Sequence, residues 1–142
     1  MIDIENMVFD TISKAVKAEY PNAAVYGEYV DIPAAFPCVT LVEEDNTVYR
    51  KTQDEEEREH HATLMYTINI YCNKANGKRA EAKAIAKIVD DAMQSLKFTR
   101  TVKNQIPNAD RSIYRMILRY TAVVAEGYTS TGGNTVYQMY RK

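Results

Sequence analysis

His60-His61 is the only histidine pair in the chain and the first place to look for metal chemistry. Adjacent side chains on a strand point to opposite faces and do not readily grip one ion, and no cysteine or third histidine lies nearby. Just upstream stand the carboxylates Asp54, Glu55, Glu56, Glu57 and Glu59. General acid–base work needs a carboxylate held in a partly dry pocket with a tuned pKa. No residue from 51 to 61 is apolar, so nothing local can build that wall, and the block reads as a solvated charge run. Ser13, Ser95, Ser112 and Ser130 lack the pattern of a nucleophile elbow. Gly132-Gly133 is too short for a phosphate loop, and no helix pattern follows it. Cys38 and Cys72 each sit inside a strand pattern and read as small buried thiols rather than a disulfide. The expectation is no catalytic residue, no metal site, no cofactor and no enzyme.

The totals agree with a small folded domain. A chain of 142 residues is most simply one domain and can bury roughly 68% of its unfolded surface without a disulfide or metal staple. The net charge of −1 gives no global basic field for nucleic acid and no acidic excess. No apolar run approaches the ~20 residues of a membrane span, and the N-terminus has no basic, apolar leader pattern. A soluble protein made in a cytoplasm is expected. Tyrosine is abundant, with 11 residues, and Trp is absent. That composition suits half-buried sheets and subunit interfaces, and equally suits ordinary strands.

The elements that must position these residues follow from periodicity. Ile4, Val8, Ile12 and Val16 recur at helical spacing and predict a helix over about 3–18, capped by Asp3 and stopped by Pro21. Residues 24–27 form a short strand. Pro33 and Pro37 forbid a helix, and an extended run begins at Cys38, with a bulge expected at Asp45-Asn46. The charged stretch 51–61 is a loop or hairpin tip. The clearest strand runs from Ala62 to Asn73, with Leu64, Tyr66, Ile68, Ile70 and Cys72 on one face and Met65, Thr67, Asn69 and Tyr71 on the other. A turn leads into a helix over 78–95 whose buried stripe is Ala82, Ile85, Val89, Met93 and Leu96. Residues 98–102 form a strand, and 104–111 a loop.

The last core strand, 113–125, also alternates. Tyr114, Met116, Leu118, Tyr120, Ala122 and Val124 face the helices. The opposite face carries Arg115 and Arg119 among aliphatics, which fits either a subunit contact or snorkelling arginines. After Gly127 the chain becomes polar and then aromatic, with Tyr137 and Tyr140 near the end; it reads as a frayed tail or an arm docking on a neighbour. The expected fold is therefore α+β, a mixed and mainly antiparallel sheet with two helices on one face. It forms a single domain over 1–127, with a flexible C-terminal arm over 128–142.

The run from Phe36 to Asn46, the Tyr66–Asn73 strand before the helix at Lys78, and the closing Ile113–Tyr120 strand together resemble the tail-completion or tail-terminator proteins of long-tailed bacteriophages and prophages, some described as minor capsid proteins. The resemblance covers about residues 2–127 and rests on fold-type signatures, not on a catalytic motif. It implies a virion structural protein of the tail or neck, made in the host cytoplasm, that assembles as a homo-oligomeric, hexameric ring. Such a ring ends tail-tube polymerisation and joins the tail to the head. Its implied partners are the tail-tube protein and the head–tail connector protein; DNA passes through the ring without sequence-specific binding, and no membrane is involved. Interface candidates are then Asp54, Glu55, Glu56, Glu57, Glu59, Arg115, Arg119, Tyr137 and Tyr140. A head-side neck adaptor is the alternative within the same assembly. A small cytoplasmic ligand-binding domain or enzyme, which would need a deep apolar pocket, is the alternative outside it.

Overall fold

A computed structural model of the chain describes residues 1–31, 33–48, 61–128 and 135–140. Among these, the elements run α1 (Glu5–Glu19), β1 (Ala24–Tyr26), β2 (Cys38–Val48), β3 (His61–Cys72), α2 (Lys78–Ser95), β4 (Thr99–Ile106), β5 (Tyr114–Tyr128) and β6 (Thr135–Tyr140). The strands form one six-stranded sheet in the order β1-β2-β3-β5-β4, with β6 also paired to β5. Only β1 against β2 is parallel; β2–β3, β3–β5, β4–β5 and β5–β6 are antiparallel. This is the expected α+β architecture.

The two-residue period of β3 and β5 explains the core. Leu64, Tyr66, Ile68, Ile70 and Cys72 are fully buried, as are Tyr120, Ala122 and Val124. Against this face α1 contributes Val8, Ile12 and Val16, and α2 contributes Ala82, Ile85, Val89 and Met93. The small alanines of α2 let the helix backbone approach the sheet. Tyr66 and Phe98 meet edge to face at 5.6 Å. Each large side chain buried here contributes about 1.5–3 kcal/mol.

Several local features differ from the sequence expectation. Asp3 does not occupy the N-cap position, which is Ile4; its carboxylate instead accepts the Glu5 amide at 3.1 Å. The β2 bulge lies between Glu43 and Asp45, one residue early; Asn46 stays paired with Leu64, and its side-chain amide donates to the Ile2 carbonyl at 2.8 Å. Strand β4 continues to Ile106, through Asn104 and Gln105 that the sequence assigns to a loop. Their polarity suits an edge strand, and Pro107, which lacks an amide donor, follows directly. Within 128–142, read from the sequence as an arm, residues 135–140 form β6. Cys38 and Cys72 are free and buried on neighbouring strands. Cys72 sits in the helix-facing row and Cys38 pairs with Tyr71 of the opposite row, so their side chains diverge. Burial pushes the Cys38 thiol up to about 11.

Candidate assembly surface

The sheet face away from the helices is built in rows set by register. One row runs Cys38, Tyr71, Arg115, Ile106; the next Thr40, Asn69, Ile117, Asn104; the third Val42, Thr67, Arg119, Val102. Arg115 and Arg119 are four residues apart on β5, so the two-residue period places both here. The sequence reading of a common arginine face is thus realised in the geometry.

Neither arginine hangs loosely in solvent. Arg115 Nε donates to Asn69 Oδ1 at 3.0 Å, and its guanidinium lies 5.4 Å from the Tyr71 ring centre. Arg119 Nε donates to Thr67 Oγ1 at 3.3 Å. Each of these bonds uses one of five N–H donors of its guanidinium. The anchoring pre-orders the two cations on a rigid sheet and lowers the entropy a partner must offset on binding.

Sequence reasoning missed the polar layer beneath them. Thr40 and Asn69 are fully buried and Thr67 nearly so. Thr40 Oγ1 and Asn69 Nδ2, on directly paired residues, have no hydrogen-bond partner among the described residues. A buried polar group left unsatisfied costs about 1–3 kcal/mol, so a dry core would not favour two of them side by side. The available signal was Thr40, Thr67 and Asn69 at alternate positions between aliphatics, a polar row inside strands whose other row is apolar. The β1–β2 crossover adds to this face. Tyr29 donates its hydroxyl to the Glu44 carboxylate at the bulge, and that bond, with burial and the Glu44 charge, raises its pKa against the opposing pull of Arg119 and Arg115.

The other candidates fall elsewhere. Asp54, Glu55, Glu56, Glu57 and Glu59 lie outside the described residues, in the connection between β2 and β3. Tyr137 and Tyr140 lie in β6, paired with Glu126 and Val123. Their backbone is described but their side chains are not. No group of three or more potential metal ligands occurs among the described residues.

Known proteins place this architecture. The family model "Tail completion protein gp17" matches residues 11–125, most of the chain. The chain belongs to the tail completion protein gp17 family. It is thereby a structural tail component of a phage-type virion. A solved structure titled "Virion of native gene transfer agent (GTA) particle" contains a chain that superposes with a TM-score of 0.60. That match has 20% identity, covers 80% of this tail completion protein and 88% of the other chain, and shows a shared fold. No curated protein matches in sequence.

Proposed function

We propose that this tail completion protein forms a homo-hexameric ring at the head-proximal end of the tail, where it stops tube polymerisation and joins the tail to the head connector. It acts through surfaces and not through catalysis. The observation that carries the reading is the outer sheet face, where Arg115 and Arg119 are anchored over a buried polar layer on the side opposite the helices. A pre-ordered, mixed face of this kind suits contact with another subunit better than free solvent. The acidic run 54–59 and the terminal residues Tyr137 and Tyr140 are further proposed contacts with neighbouring subunits or the tail tube. DNA then passes through the lumen.

The test is the mass of the purified protein by light scattering over a concentration range, with negative-stain images of the protein alone and mixed with tail tubes. Six-fold rings, free or capping tube ends, are the expected result. A strict monomer that remains inert towards tubes overturns the reading. Rings that bind isolated connectors but ignore tubes favour the head-side adaptor instead.

A further inference from the structure

On the helix side of the sheet, α2 and the edge strand β4 enclose a cleft of about 320 Å³ lined by Lys83, Lys87, Arg100, Lys103, Asp90 and Asp91 over a floor of Ala86 and Leu118. Four cations thus face two carboxylates, and one carboxylate is already occupied. Asp90 accepts from Arg100 at 2.8 Å, from the Tyr120 hydroxyl at 2.8 Å and from Gln94 at 2.6 Å. Lys83, Lys87 and Lys103 have no ion-pair partner among the described residues.

The arrangement depends on a strand irregularity. Residues three apart on a regular strand point to opposite faces. Here the register shifts between Arg100 and Val102, so that Arg100 pairs with Tyr120 and Lys103 with Leu118, both in the helix-facing row. The bulge at Thr101 therefore turns two cations towards Lys83 and Lys87, which lie one helical turn apart on the exposed side of α2. Bulges commonly re-aim side chains in this way at working sites.

We propose that this cleft receives the acidic run 54–59 of a second copy of the chain. The proposal rests on the ring reading above and gives the acidic run a receptor. The run carries five carboxylates and one arginine, a charge opposite to that of the cleft. The floor accepts the methylenes of a glutamate while lysines on both walls meet its carboxylate. A nucleic-acid backbone would call for an extended track of cations and not a short concave site. The donor and receptor are unlike patches. The β2–β3 connection joins Val48 to His61, at the level where β3 meets Ala125. The cleft lies at the level of Leu118 on the β4 side. A contact between unlike patches is head-to-tail and closes into a ring when the rotation permits.

The first readout is fluorescence anisotropy of a labelled peptide of residues 51–61 added to the full chain. Binding is expected to weaken roughly tenfold in K83E/K87E, and in wild type to weaken as salt rises. The control K14E/K17E, which changes net charge equally at exposed positions of α1, should bind as wild type does. Peptide binding that is absent, or indifferent to K83E/K87E, overturns the proposal, as does a DNA duplex that occupies the cleft and is not displaced by peptide. The second readout is ring yield. K83E/K87E should lose rings, and the charge swap K83E/K87E/E56K/E57K should regain them. Rings that persist in K83E/K87E sink the cleft contact and leave the ring reading standing. Peptide held by the cleft without rings on any template leaves the contact standing and sinks the ring.

Discussion

Gly77 precedes α2 with φ at +89°, in the left-handed region that disfavours a Cβ. A Cβ added there would meet no atom of the described residues within 4 Å. Any cost of Gly77→Ala is therefore backbone strain alone, about 1 kcal/mol, measurable as a lower urea midpoint with an unchanged slope. A second residue-scale prediction concerns Asp90. Burial alone would raise its pKa, but the hydrogen bond from Tyr120, the charge and hydrogen bond of Arg100 and the bond from Gln94 outweigh that and hold it below 3.8, its ordinary value. An acid with a depressed folded pKa contributes stability above its unfolded pKa and loses it as pH falls through the folded value. Tyr120→Phe should cost about 1 kcal/mol at neutral pH, and its gap from wild type should narrow as pH is taken below 3.8. Glu43 has the opposite sign. Burial raises its pKa despite the hydrogen bond from Tyr66, so its contribution is present below 4.5 and declines as pH rises through the raised folded value.

Among the elements, β3 is bonded along its length to β2 and to β5, and its helix-facing side chains are fully buried. Its amides should exchange with solvent most slowly, while β1, only Ala24–Tyr26, should exchange among the fastest of the strands; deuterium exchange followed by mass spectrometry reads both. That contrast also explains what the sequence discloses. The alternation of Leu64 to Cys72 and the stripe of Ala82 to Met93 are set by burial on one face, so strand, helix and core were legible. Strand β4 past Val102 was not, because an edge strand needs no apolar partner on its outer side and Asn104 and Gln105 look like a loop. The bulge positions were not legible either. They depend on pairing between distant parts of the chain, such as Asn46 with Leu64, which no local window contains. The two arginines could be placed on one face by counting, but their anchors Asn69 and Thr67 required knowing that β3 and β5 are neighbours. The convergence of Arg100 and Lys103 was hidden for the same reason, since spacing alone assigns them to opposite faces.

For the whole molecule, the proposed ring makes Arg119 a test of assembly without folding. Arg119→Ala removes the 3.3 Å hydrogen bond to Thr67 and, because that hydroxyl is nearly buried, should cost about 1–3 kcal/mol of monomer stability, too little to unfold the chain. If the outer face is a subunit contact, ring yield in negative stain should fall severalfold while the far-ultraviolet circular dichroism spectrum is unchanged; unchanged ring yield would remove Arg119 from the interface. The two bulges have a meaning at this scale as well. One interrupts β4, and the other interrupts β2 beyond Thr40, where β1 no longer covers it. These two margins, β4 and the part of β2 beyond β1, are thus kinked, so neither offers a long flat template for another strand. A sheet with straight margins can recruit copies without limit, each new chain presenting the next free ladder. Kinks at these two margins work against such runaway growth, which suits the proposed role of ending a polymer without beginning another.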